Sequence, residues 1–336
     1  MSRSERSEDD IAAAAVVSLE EVPVIDFAPF LAGDAAARQV VADEIAHACE
    51  EIGFFYLTGH GVPQDVVDAI FSTAAEFFAL PDAERAKANA TPEWYRGYIP
   101  MPERQPMSRN TRMFEQYRLQ HEWGPDAKDM QHARIFDQVN RWPEGLPAFK
   151  DAGEAYLAAM LGLGRELLRA FALGLGLDEN RFDDTFRQPP SQLSVNYYPV
   201  LPLEAESDVS NMISHTDEGP FTILAQGAVG GLEVKRRDGA WIQAPPVKGA
   251  FTINVGDMMM WWSNGRFLSN YHRVRNRTDV ERFSVPYFAN PDRDVTVAPL
   301  PELLNGEAPR YEPVRVADHL SRFYSQLSKN PHEAYS

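Results

Sequence analysis

Beyond Gln188-Pro189-Pro190 the chain breaks into short apolar runs separated by turn residues, a texture that admits few architectures. Gly231-Leu232-Glu233-Val234 and Ala240-Trp241-Ile242-Gln243 flank Arg236-Arg237-Asp238-Gly239, and Asp-Gly between two such runs is a hairpin signal because both residues tolerate positive φ. Thr252-Ile253-Asn254-Val255, Met258-Met259-Met260-Trp261-Trp262 and Phe283-Ser284-Val285-Pro286-Tyr287-Phe288 extend the series as further strands. Many short strands of this kind predict a double-sheet jelly roll.

The preceding part reads differently. Val22 to Phe27 is a short strand, Ala35 to Ile52 a helix ending at Gly53, and Phe54-Phe55-Tyr56-Leu57 a buried strand closed by a Gly59-His60-Gly61 turn. His60 is read as a turn histidine satisfied by backbone. A second helix runs from Val66 to Leu80, with another short one starting at Pro81, and Leu146 to Leu177 is a long helix packed on a sheet. From Trp94 to Arg118 no period is visible, which reads as an irregular loop. Val316 to Lys329 forms a closing helix. The expected class is α+β: a double-stranded β-helix (jelly roll) core with flanking helices, mainly N-terminal, and a C-terminal helix. The expected organisation is a disordered tail over 1–20, a mostly helical region over 21–187 contributing strands to the core, the jelly roll over 188–290, and an extension over 291–336.

At 336 residues and 44% hydrophobic the chain has ample material for a core. Lys plus Arg number 32 against 49 Asp plus Glu, a net charge of -17, which leaves no basic face for nucleic acid or an anionic membrane. No stretch approaches a membrane span, and the acidic residues near the start lack the flanks of a signal peptide. The single cysteine, Cys49, excludes an intrachain disulfide framework and a Cys-rich metal site, which fits a cytoplasmic location. The oligomeric state is not legible.

Chemistry concentrates in Ser214-His215-Thr216-Asp217. Residues two apart on a strand share a face, so His215 and Asp217 can meet one ion. His272 offers a third ligand, and two His plus one carboxylate is the facial triad that leaves non-haem Fe(II) with open positions. Further on, Arg282 and Ser284 place a guanidinium and a hydroxyl on one strand face, suited to an acidic co-substrate.

The order His-x-Asp, His, Arg-x-Ser resembles the Fe(II)/2-oxoglutarate-dependent oxygenases, in the isopenicillin N synthase-like branch. Val195-Asn196-Tyr197-Tyr198-Pro199, Gly230-Gly231-Leu232-Glu233-Val234, Asn254-Val255-Gly256-Asp257, Trp262-Ser263-Asn264-Gly265-Arg266 and the stretch Gly53 to Pro63 are similar to that branch too. The likeness spans Val22 to Pro291. It implies Fe(II) on His215, Asp217 and His272, 2-oxoglutarate held by Arg282 and Ser284 with Asn196 and Tyr198 assisting, and O2 as the second co-substrate. It implies hydroxylation of an unactivated C–H bond of a small-molecule substrate, with succinate and CO2 as co-products. In the resembled branch the region matching Trp94 to Arg118 arches over the iron, so Tyr98, Arg112 and Phe114 are expected to face the substrate. Three alternatives stay open: an oxidase that uses no 2-oxoglutarate, an ethylene-forming type, and a jelly roll that binds a ligand without turnover. The intact triad speaks against the last.

Overall fold

The computed structural model describes residues 21–91, 93–101, 113–124, 132–200 and 210–329, so the expected tail and Arg112 lie outside the described residues. In chain order the strands and α-helices are β1 (Val24–Asp26), α1 (Ala28–Ala32), α2 (Ala35–Glu51), β2 (Phe54–Thr58), α3 (Gln64–Phe78), α4 (Asp82–Arg85), β3 (Gly97–Ile99), β4 (Glu115–Gln120), α5 (Ala133–Phe136), α6 (Pro147–Gly174), β5 (Gln192–Tyr198), β6 (Met212–His215), β7 (Phe221–Gln226), β8 (Leu232–Lys235), β9 (Trp241–Gln243), β10 (Phe251–Val255), α7 (Asp257–Trp262), β11 (His272–Val274), β12 (Arg282–Ala289), β13 (Thr296–Val297), β14 (Val314–Arg315) and α8 (Val316–Lys329).

Two sheets face each other. The larger has eight strands in the order β1-β2-β10-β7-β12-β5-β4-β3, and the smaller has four in the order β6-β11-β8-β9. Phe54 and Tyr56 of β2, Leu232 and Val234 of β8 and Ile242 of β9 fill the space between them. Each such side chain contributes about 1.5–3 kcal/mol when removed from water. On the other face of the large sheet, Val285 and Tyr287 of β12 join the core built by α6, α3 and α2. Alternation along β12 therefore sends Arg282, Ser284 and Phe288 to the inner face.

Local chemistry explains the elements. Asp34 caps α2 by accepting from the backbone N–H groups of Ala36 and Ala37 at 3.1 and 3.0 Å, and the helix buries Val41, Ile45 and Cys49 on one side. The β8–β9 hairpin turns at Gly239, whose φ of 90° suits a residue without Cβ. His60 is held within its turn, its Nδ1 accepting from the Val62 N–H at 3.2 Å.

Two expectations are corrected. Met258 to Trp262 is helical, not a strand: α7 begins directly after Gly256 and buries Met258, Met259 and Trp262. A short apolar run with no period does not distinguish the two states. The segment read as one irregular loop contains β3 and β4, paired antiparallel, with β4 joined in turn to β5. On β4 the polar residues Gln116, Arg118 and Gln120 turn to the inner face, the reverse of the usual pattern, which hid the strand from a reading based on hydrophobicity.

Candidate active site

β6 and β11 are antiparallel neighbours, and their register sets His215 directly opposite His272. Asp217 is not on the strand, as the sequence suggested, but two residues beyond its end. The loop is folded back by backbone, Asp257 N–H donating to the Asp217 carbonyl at 2.8 Å and Gly256 N–H to that of Pro220 at 2.9 Å. One ligand atom from each of His215, Asp217 and His272 lies within 4.8 Å of the others, and all three side chains are buried. Asp217 Oδ1 is 3.7 Å from Nε2 of each histidine.

Each ligand is oriented from behind. His215 Nδ1 lies 2.8 Å from the Ile213 carbonyl and His272 Nδ1 3.3 Å from that of Asn270, which places the proton on Nδ1 and leaves Nε2 with its lone pair. Asp217 Oδ2 accepts from Thr222 Oγ1 at 2.5 Å and Asn254 Nδ2 at 2.7 Å. Burial, with the neighbouring His272, pushes the His215 imidazole down to about 4, so it is neutral at pH 7. Burial raises the Asp217 carboxyl, but His272, His215, Thr222 and Asn254 together outweigh it and hold the group below the usual range. Two imidazoles whose Nε2 atoms converge on one carboxylate fit a divalent iron.

On the same inner face, Arg282 is 1% exposed. Its Nη2 donates to Gln226 Oε1 at 3.2 Å, whereas Nε and Nη1 are buried with no partner among the described residues. Burial lowers its pKa, a direction that the neighbouring Tyr198 opposes, and the guanidinium sits 4.7 Å above the Tyr198 ring. Register pairs Arg282 with Tyr198 and Ser284 with Asn196. Asn196 Oδ1 accepts from Gln116 Nε2 at 3.0 Å, so its own amide N–H groups are turned away from Gln116. An unpaired buried guanidinium is costly unless an anion arrives, and a terminal carboxylate with two acceptor oxygens matches the two orphaned N–H donors.

A cavity adjoins the triad, lined by His215 and Asp217, by Arg118 and Gln192 of the large sheet, and by Leu320 and Phe323 of α8. Of the residues expected to face the substrate, Tyr98 is absent from this lining: its ring packs edge-on against Phe77 and its hydroxyl donates to Glu115 at 2.6 Å. A tyrosine in a strand that faces the helical core is placed by parity, which the sequence did not reveal. Phe114 stacks on Tyr198 with ring centroids 5.2 Å apart, on the Arg282 side of the interior. Arg112 lies outside the described residues. Sequence reasoning missed Thr222 and Asn254 behind Asp217, and the α8 wall; the stretch Asn254 to Asp257 was the available signal for the first.

Known proteins give the same picture. A pattern described as the 2OG-Fe(II) oxygenase superfamily matches residues 189–291, and one described as non-haem dioxygenase in morphine synthesis N-terminal matches residues 22–145. The chain is 32% identical over 321 residues to the 2-oxoglutarate-Fe(II) type oxidoreductase hxnY of Emericella nidulans, covering 93% of this chain and 92% of that protein. It is 33% identical over 298 residues to the homoarginine-6-hydroxylase 2-ODD-C23 of Glycine max, covering 83% and 88%. A full-length Neurospora crassa protein, crystallised in complex with alpha-KG and thymine, superposes with a TM-score of 0.81 at 28% identity, covering 92% of this chain and 97% of that one. The chain belongs to the 2OG-Fe(II) oxygenase superfamily, and is a non-haem Fe(II)- and 2-oxoglutarate-dependent dioxygenase.

Proposed function

We propose that the protein hydroxylates a C–H bond of a small-molecule metabolite, with His215, Asp217 and His272 holding Fe(II) and Arg282 holding 2-oxoglutarate. The observation that carries the co-substrate assignment is the pair of buried donors on Arg282 that no described residue meets. Bound iron would let O2 act as the oxidant with 2-oxoglutarate supplying two of the electrons, one oxygen atom going to the substrate C–H bond and the other to succinate as CO2 leaves.

The chain's own residues bind and orient. Arg282 neutralises the far carboxylate of the co-substrate, Gln226 fixes the guanidinium plane, and Tyr198 walls it in, itself backed by Phe114. Ser284 and Asn196, side by side in register, complete the polar floor. The backbone carbonyls of Ile213 and Asn270 keep the histidine protons on Nδ1. Leu320 and Phe323 give the cavity beside the triad an apolar wall. That the Neurospora crassa protein holds thymine together with alpha-KG supports a substrate of small-molecule size here.

The test uses purified protein under anaerobic conditions. Adding Fe(II) and 2-oxoglutarate is expected to produce the weak visible charge-transfer band of a chelated 2-oxo acid. No band with iron fully bound would overturn the co-substrate assignment and favour an oxidase in which Arg282 holds the substrate itself.

A further inference from the structure

We infer that Arg118 receives a carboxylate of the primary substrate, which makes that substrate a small organic acid with an apolar body. The inference deepens the oxygenase reading above and rests on it for the place of reaction.

Arg118 is 5% exposed, on the inner face of β4, and lines the cavity that His215 and Asp217 also line. Among the described residues its one hydrogen bond runs from Nε to the neutral Oε1 of Gln116, at 2.8 Å. No carboxylate of those residues lies within ion-pair distance of it. That contrasts with other guanidiniums of the interior: Arg85 is paired with Glu115, Arg273 with Glu233 and Arg293 with Asp137. A buried cation without its anion is a cost that folding does not ordinarily leave standing. Arg282 is another such residue, and one 2-oxoglutarate accounts for it. Arg96 also has no ion pair, and its Nε and Nη1 are buried without a partner among the described residues, but it donates to the Phe136 carbonyl and does not line the cavity. Arg118 is left over, with both Nη groups available.

The surroundings favour an anion over a cation. Glu218 also lines the cavity, but its carboxylate is engaged by His319. Gln116 holds Arg118 through Nε, which leaves the Nη edge of the fork to meet two carboxylate oxygens. Register separates this group from the co-substrate floor: Arg118 is opposite Ser194, one inner-face row away from the Gln116–Asn196 pair, roughly 7 Å along the strand. Met212, Phe288, Leu320 and Phe323 give the cavity apolar surface for a hydrocarbon or aromatic body, beside the polar Gln192, Thr216 and Asn290.

The test is calorimetric titration of anaerobic protein loaded with Fe(II) and 2-oxoglutarate, using hexanoate, benzoate and 3-phenylpropanoate, each against its primary amide. In the wild type at least one acid is expected to bind about tenfold or more tightly than its amide, since a buried ion pair replaces a neutral contact. Arg118→Gln should abolish the preference, and Arg118→Lys should keep part of it. Acids that bind no better than their amides throughout the series, or a preference retained in Arg118→Gln, overturn the assignment. Should the glutamine variant not fold, the lysine variant decides: weakened acid binding with amide binding unchanged supports the role, and both changing together overturns it. The co-substrate band, read on the same wild-type sample, keeps the two readings apart. A normal band without acid preference sinks Arg118 alone, whereas a missing band with the preference intact sinks the co-substrate reading and leaves Arg118 as the acid's anchor.

Discussion

Asn254 donates to Oδ2 of Asp217, and this is the oxygen that does not face the histidines. Its partner Oδ1 is the one held 3.7 Å from both imidazoles. A carboxylate on a loop has two torsions to lose before it can act as a ligand, and the amide of Asn254 with the hydroxyl of Thr222 removes that freedom in advance.

Asn254→Ala should therefore weaken Fe(II) binding about tenfold to a hundredfold with the fold intact, the usual effect of losing such a supporting contact. Metal content after equilibration at fixed free Fe(II), read beside a melting curve, checks it. Undiminished iron would mean that Thr222 and the backbone of the loop set the carboxylate without Asn254.

Replacing Arg282 by Ala should cost about 3 kcal/mol or more of 2-oxoglutarate affinity, roughly a hundredfold, because the co-substrate's far carboxylate is then buried without a cation. Lys at that position should recover only part, since it lacks the planar fork that meets two oxygens. Titration of the visible band in the three proteins gives the ranking, and equal midpoints would remove Arg282 from the co-substrate site.

Gly256 faces a steric limit, not a dihedral one. A Cβ there would meet the Gly219 carbonyl oxygen at 2.2 Å and that of Asp217 at 2.7 Å, both of them backbone. Gly256→Ala should destabilise the protein by about 1–3 kcal/mol and loosen the metal at the same time, because the strain falls on the loop that carries Asp217. Denaturant unfolding and iron titration should move together; a stability loss with normal iron binding would show that the strain is relieved elsewhere.

His121 is not among the residues that line the cavity and offers a test of pH dependence. Burial, aided by Arg165 and Arg96 and opposed by a bond to the Leu157 backbone, lowers it from 6.5 to about 4, and its Nε2 is shut off without a partner among the described residues. Between those values the unfolded chain binds the proton and the folded chain does not, so stability present above pH 6.5 is lost as the pH falls towards 4. By pH 5 the loss should be about 2 kcal/mol. Denaturant unfolding of metal-free wild type and His121→Gln at pH 7.5 and 5 checks it: the wild type should lose about 2 kcal/mol more than the variant, and parallel losses would contradict the shift.

Local signals carried much of this. The jelly roll was legible because Asp238-Gly239 and the runs around it declare hairpins without help from the rest of the chain. His215 and His272 were legible through residue type and order. Tyr98 and Arg118 were not: both lie on strands, β3 and β4, whose facing depends on partners far along the chain. Met258 to Trp262 failed for the opposite reason, since an apolar run of that length buries equally well as helix or strand. The role of α8 was invisible because nothing in Leu320 or Phe323 says which cavity a closing helix will close.

In the proposed assignment the metal ligands come from β6, β11 and the loop after β6, the co-substrate floor from β5 and β12, and part of the cavity wall from β4 and α8. Met212, Gln192 and Phe288 of β6, β5 and β12 share the cavity, but Arg118, Leu320 and Phe323 belong to elements that carry neither the metal ligands nor the co-substrate floor. An engineer, or a lineage under selection, can exchange Arg118, Leu320 and Phe323 for other side chains and redirect the enzyme to a new molecule while the iron and its co-substrate keep their footing.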